Sequence, residues 1–147
     1  MSIIITRRGL IFGSLATGAM LRSRRVPACE FFTGSLRVHH PWTRATRPGE
    51  TTAIICMLFD EVIEPDRLIG VESPVATGAA MGGEAAGPVV DFPILPGRDW
   101  ALTEEGTHVL LTGLRHPLAV GREYPLRLTF EKSGIVSAQL SVDFPAA

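Results

Sequence analysis

Four histidines and a few sulfur-bearing side chains are the residues of this 147-residue chain whose types could support chemistry beyond packing: His39, His40, His108 and His116, with Cys29, Cys56, Met57 and Met81. His39 and His40 are adjacent, so on a strand they face opposite ways and only one could join any given site. His116 stands beside Pro117 in an expected turn and reads as solvated. Cys56 and Met57 fall inside the apolar run Thr52–Phe59 and read as core fillers, since a free cysteine behaves as a small hydrophobe and methionine fills irregular gaps. In the string His108-Val109-Leu110-Leu111, strand alternation puts His108 and Leu110 on one face and turns Val109 and Leu111 into the core. Trp42 and Trp100 read as packing residues. No G-x-S-x-G elbow, H-E-x-x-H pair or phosphate-cradling glycine loop occurs, and no carboxylate pair has a spacing that suggests acid/base work. The chain therefore reads as a non-enzyme. Two cysteines without a CxxC spacing are too few for a disulfide scaffold, although one disulfide stays open by count.

The elements that must hold these residues read as strands. Tyr124, Leu126, Leu128 and Phe130 alternate with polar neighbours, as do Val136, Ala138, Leu140, Val142 and Phe144. Both have the period of two of half-buried strands. Lys132-Ser133-Gly134 between them is a short polar link with a glycine able to take positive φ, which predicts an antiparallel hairpin. The run Thr52–Phe59, bounded by Pro48-Gly49 and Asp60-Glu61, suits a strand buried on both faces. Shorter apolar pieces follow at 67–71, 89–92, 100–102 and 107–114, punctuated by Pro and Gly. Many short strands and no long amphipathic helix predict an all-β sandwich or barrel. With 46% hydrophobic and 20% charged residues there is material for one core, hence one domain.

The start of the chain reads as an address. Arg7-Arg8 precede an apolar run that ends at Leu21, the shape of an export signal. The run falls short of the roughly 20 apolar residues a helix needs to cross a bilayer, so no stable membrane span is expected. Thr6-Arg7-Arg8-Gly9-Leu10-Ile11 resembles a twin-arginine signal; an ordinary secretory signal is the other reading. Cleavage after Ala28 is preferred, with Ser14-Leu15-Ala16 second, giving an export signal at 1–28 and a domain at 29–147. Cys29 would then be N-terminal; it reads as a free thiol, Pro27 fitting a lipid-attachment site poorly. The net charge of −1 and the lack of a basic run beyond the N-terminus give no electrostatic footprint for nucleic acid.

Several strings then match one pattern in order: Pro41-Trp42-Thr43-Arg44-Ala45-Thr46, Pro48-Gly49, Thr52-Ala53, Asp66-Arg67-Leu68-Ile69-Gly70 and Ser73-Pro74-Val75-Ala76. They continue with Leu95-Pro96-Gly97, Gly106-Thr107-His108, Gly113-Leu114, Pro117-Leu118 and the stretch Pro125–Gly134. Together they resemble the PCu(A)C periplasmic copper-chaperone family over residues 36 to 144. The resemblance implies a cupredoxin-like Greek-key β-sandwich that holds copper(I) through imidazoles and thioethers and passes it to a copper-accepting protein such as a cuproenzyme. Soft thioethers and neutral imidazoles suit Cu(I).

The ligand positions are where this chain departs from the family. The family's first histidine should fall near Gly82, within Ala79-Ala80-Met81-Gly82-Gly83-Glu84. Its methionine loop is shortened to Glu84-Ala85-Ala86-Gly87-Pro88, which lacks sulfur. Its His-x-Met pair reads His108-Val109-Leu110. The metal candidates are therefore His108, also readable as a hydrogen-bonded histidine at the sandwich rim, and Met81, a substitute thioether or an edge-packing residue. Two functional readings follow: a copper(I)-binding chaperone or weakened relative, and a paralogue that has lost metal and serves as a periplasmic interaction or structural module. A carrier of another small ligand in the vacated loop is a minor third.

Overall fold

The structure is a computed structural model and describes residues 30–147. The expected export signal and Cys29 lie outside them. Ten strands follow one another: β1 (Glu30–Phe32), β2 (Arg37–Arg44), β3 (Thr52–Asp60), β4 (Asp66–Glu72), β5 (Ala76–Gly82), β6 (Phe92–Ile94), β7 (Trp100–Leu102), β8 (His108–Leu114), β9 (Glu123–Phe130) and β10 (Gly134–Phe144). One 3₁₀ turn at Gly83–Ala85 is the only helical element among the described residues, none of whose helices is long and apolar enough to cross a membrane. The all-β class expected from alternation is what the chain adopts.

The strands form one curled sheet in the order β5-β8-β3-β2-β10-β9-β4-β6, with β1 alongside β2 and β7 alongside β3. Its inner surface is the core, where Val38, Ile55, Phe59, Leu68, Val109, Leu111, Leu128, Phe130 and Leu140 are almost wholly buried. Each such aliphatic or aromatic side chain contributes on the order of 1.5–3 kcal/mol. Phe59 anchors the layer, meeting Phe130 edge-on and Phe92 at a tilt, both at 6.0 Å between ring centroids.

The expected C-terminal hairpin is present: β9 and β10 pair from Gly134↔Phe130 to Ser141↔Glu123, and Gly134 takes φ 77°. A side chain there would be strained, which is why the polar link ends in glycine. The buried Asp66 ties this turn to the start of β4. Its carboxylate accepts from the backbone N–H groups of Arg67, Lys132 and Ser133 and from Ser133 Oγ at 2.6 Å. Burial alone would raise this carboxyl's pKa, but those four donors together hold it below its ordinary value.

Three local readings change. The run Thr52–Phe59 is central, but its two faces differ: Ala53, Ile55, Met57 and Phe59 fill the core, whereas Ile54 and Leu58 on the outer face are half-buried. The piece at 89–92 gives way to a strand shifted to Phe92–Ile94, because Gly87 is held against Met81 and Asp91 is drawn to Arg67. Finally, Ala76–Gly82 is a full strand although its Ala and Gly residues carry no hydrophobic alternation. Pairing with β8 over Ala76↔Leu114 to Gly82↔His108 supplies what propensity lacks.

Candidate functional site

β8 is hydrogen-bonded to β5 on one side and, from Val109 to Thr112, to β3 on the other; the pairings Ile55↔Val109 and Met81↔Val109 fix which residues share a face. Residues directly opposite each other in an antiparallel pair project to the same side. Val109 therefore stands with Ile55 and Met81 on the core side, and His108 stands with Gly82 on the outer side. Leu110, opposite Ala80 and Ile54, belongs to the outer side as well.

His108 is 6% exposed, and its ring is fixed at both ends. Nδ1 donates to the carbonyl oxygen of Thr103 at 3.1 Å. A carbonyl can only accept, so Nδ1 carries the proton and the lone pair of the neutral ring lies on Nε2. Nε2 has no hydrogen-bond partner among the described residues, none of whose side-chain nitrogens and oxygens is both fully enclosed and unpartnered. It therefore keeps some access to solvent. A histidine whose Nδ1–H is bound to a backbone carbonyl and whose Nε2 lone pair is open has the arrangement that metal-ligating histidines use.

The ring lies over Gly82. A methyl group added at Gly82 would sit 2.5 Å from His108 Nε2, 2.8 Å from its Cδ2 and 2.9 Å from Leu110 Cδ1. The imidazole thus fills the space a side chain at 82 would need. Gly83, at φ 76°, approaches the Thr103–Thr107 loop so closely that a Cβ would lie 1.8 Å from the Gly106 carbonyl oxygen. Gly83 is required for β5 to close against this loop, and Gly82 for it to lie under the ring of His108. The loop is itself closed by Thr103 N–H to the Thr107 carbonyl and capped by Thr103 Oγ1 accepting from Gly106 N–H.

Met81 is placed elsewhere than His108. It is 3% exposed, belongs to the core cluster, and its backbone exchanges hydrogen bonds with Gly87. The two sequence candidates are neighbours in register but on opposite faces of the β5–β8 ladder, because the period of two separates residues 81 and 82. Met81 therefore packs the core, and the structure does not bring its sulfur to the face of His108. Among the described residues, no three His, Cys, Asp or Glu side chains converge as a metal site.

The neighbouring outer face carries groups that sequence reasoning set aside. Arg44 donates to both oxygens of Glu104, at 2.7 and 3.0 Å, and these bonds, with the charge of Arg44, outweigh burial and hold the Glu104 carboxyl below its ordinary pKa. Cys56, opposite Trp42, is buried on this side. Burial, reinforced by Glu104 and Glu105, pushes its thiol up to about 12, so it is an inert thiol at neutral pH. That agrees with its reading as a filler.

The other histidines have their own partners. β2 carries a bulge between His39 and Trp42, with His40 at φ 44°. His39 is bracketed by Asp60 (3.0 Å) and Glu30 (3.4 Å), and Asp60 also takes a bidentate pair from Arg37, which lowers its pKa. His40 is hydrogen-bonded to Asp143. His116 is exposed and bonded to the neighbouring Pro117 carbonyl. None of the three is hydrogen-bonded to His108 or to its partners.

Residues 36–142 match the family model described as "Putative lipoprotein LpqE-like". The copper-bound PCuAC domain from PmoF2 is 32% identical, with a TM-score of 0.71 over 79% of this chain and 98% of that one. The chain belongs to the LpqE-like, PCuAC-type family. The apo PCuAC domain from PmoF1 is 29% identical at the same TM-score, covering 79% of this chain and 99% of that domain. Copper(I)-loaded DR1885 from Deinococcus radiodurans, at 24% identity and a TM-score of 0.58 over 71% of this chain and 75% of its own, shares the fold. No curated protein matches. The cupredoxin-like PCuAC sandwich expected from the ordered strings is therefore the fold of this chain. Within it, this PCuAC domain keeps an imidazole at 108 and has glycine at 82 and leucine at 110.

Proposed function

We propose that the protein is an exported, periplasmic PCuAC domain that binds copper(I) in chaperone fashion through His108, using Nε2 as the single ligand its own chain supplies on the outer face. The observation that carries this reading is the fixed tautomer: Nδ1–H is committed to the Thr103 carbonyl and Nε2 is left open. Similarity to a domain solved with copper bound supports the choice of metal. One neutral imidazole completes neither a linear nor a trigonal Cu(I) site. Copper held this way would be weakly bound and easily displaced by the ligands of an accepting protein such as a cuproenzyme, which is what delivery needs.

A second reading has its own observation. Gly82, Leu110 and the core-facing Met81 leave the outer face short of donors, which favours a paralogue that has lost metal and serves as a periplasmic interaction or structural module. A Cu(I) competition titration against a calibrated chelator, run on the wild-type protein and His108→Ala, separates the two. One-to-one binding that falls at least about tenfold, some 1.4 kcal/mol, in the variant supports copper handling through His108. Equal, nonspecific uptake by both proteins would leave the interaction module standing.

A further inference from the structure

β5 is an end strand of the sheet, and only part of its outer edge is covered. Met81 exchanges N–H and C=O bonds with Gly87, at 2.9 and 3.1 Å, so residue 81 directs its backbone groups away from β8. In an antiparallel ladder that direction alternates. Ala79 and Thr77 must therefore also present their N–H and C=O outward, and no backbone partner meets them among the described residues. The chain's own return through Gly87 pairs the first position of this edge and then leaves: Val89, which would face Ala79 next in an antiparallel ladder, makes no backbone hydrogen bond with it. Two donors and two acceptors with strand spacing stay open. Beyond the partial cover by Gly87, two devices that normally blunt such an edge are missing: β5 contains no charged residue and no proline.

At Thr77 the open stretch borders a groove of about 540 Å³, with Ala76, Thr77 and Gly78 of β5 on one wall and residues of β9 and β10 on the other. Ala76, Leu126 and Ala138 provide apolar floor, and Ser137 and Gln139 provide polar rim. The charged groups on the rim are Glu72 and Arg127, 3.5 Å apart, which cancel each other.

We infer that this edge and groove form a docking site for one extended, uncharged segment of a partner polypeptide, which adds a strand beside Thr77 and Ala79. Backbone pairing supplies the affinity, and alternate side chains of the segment are sorted between the apolar floor and solvent. The occupant is a single strand. A second copy would have to bring its own β5 edge, with only the same two open residues to offer, into a groove walled by β9 and β10, which a lone strand enters more readily than a whole sheet. The self-cancelling rim charges favour a neutral segment. The inference rests on the fold and is independent of copper.

The test uses the full chain and the capped peptide acetyl-Thr-Val-Thr-Val-Thr-amide, followed by amide NMR and hydrogen exchange. Expected are saturable shifts at Thr77 and Ala79 and at least tenfold slower exchange of the Ala79 N–H. A peptide N-methylated on alternate residues, which cannot pair along one edge, should lose binding. Ala79→Pro removes only an outward N–H, a substitution edges accept, and should also abolish the shifts. If the N-methylated peptide binds as well as its parent, or if shifts fall elsewhere, strand addition is wrong. Concentration-dependent self-association that protects the same amides would show the occupant to be a second copy and overturn the proposal equally. The N-methylated peptide decides the matter even if Ala79→Pro fails to fold.

Discussion

Gly82→Ala tests whether the imidazole of His108 occupies the place of a side chain at 82. The backbone at Gly82, φ −131° and ψ 172°, is extended and open to any residue, so the change introduces no dihedral strain. Restricting the unfolded chain would by itself stabilise the protein by about 0.4–1 kcal/mol. Against this, the new methyl would lie 2.5 Å from Nε2 and 2.9 Å from Leu110 Cδ1. Relief requires the ring to leave its rotamer, at about 0.5–1.5 kcal/mol. It also forfeits the Nδ1–H bond to Thr103, about 0.5–1.5 kcal/mol more. Leu110 must move too, so the net expectation is a loss of about 1–2 kcal/mol, or a fall in Tm of about 4–8 °C for a chain of this size. Gly87→Ala is the control, because a methyl there meets nothing within 4 Å. Thermal melts give the stability, and side-chain ¹⁵N spectra report the tautomer, which should change from pure Nδ1–H towards a mixture. An unchanged or raised Tm with the Nδ1–H tautomer intact would refute the placement of the ring and, with it, the account of why residue 82 holds no ligand.

Two further outcomes follow from the same geometry. Leu110→Met adds a thioether on the face of His108, two residues along the strand; because the swap conserves volume it should cost under about 1.5 kcal/mol, while Cu(I) affinity in the chelator assay rises at least about tenfold. An unchanged affinity would mean that the outer face cannot assemble a two-donor site. Asp66→Asn replaces one acceptor oxygen by an amide that faces the Ser133 or the Lys132 and Arg67 donors, and should cost about 3 kcal/mol or more in urea unfolding. The folded pKa of Asp66 is depressed, so its stabilisation is present above the unfolded value near 4 and is lost as pH falls through the folded value. Wild type should therefore weaken more steeply than Asp66→Asn below about pH 4; parallel pH profiles would contradict this.

Where the sequence spoke through alternation, it could be read. The β9–β10 hairpin follows from period-two patterning and its polar, glycine-bearing link, β4, β7 and β8 from short apolar pieces set off by Pro and Gly, and β3 from its apolar run. β5 was not legible, because Ala76-Thr77-Gly78-Ala79-Ala80 has almost no side chain to alternate; only its register with β8 makes it a strand. The site shows the same division. Strand period alone gave the face of His108, since Val109 and Leu111 had to enter the core. The face of Met81 could not be assigned without recognising β5, and a single step in register separates a core methionine from an outer-face residue. The bulge at His40 was equally hidden, because no glycine marks its positive φ.

The division between faces also explains how a PCuAC domain can lose donors and keep its fold. The core is held by Ile55, Phe59, Val109, Leu111 and Phe130, all on the inner side, and by the Asp66 knot at the hairpin. Residues 82, 108 and 110 project outward from the same strands, so Gly and Leu at 82 and 110 alter the donor set without touching that packing. His108 is the exception, since its Nδ1 bond to Thr103 braces the loop that closes against Gly83. An imidazole at 108 thus has a structural role at Nδ1 and, on the proposed function, a chemical one at Nε2. The two can be separated: a His108→Asn variant could keep a donor to the Thr103 carbonyl while removing the imidazole lone pair. If stability survives that change and Cu(I) binding does not, Nε2 serves the metal; if both survive, the ring is there for the loop.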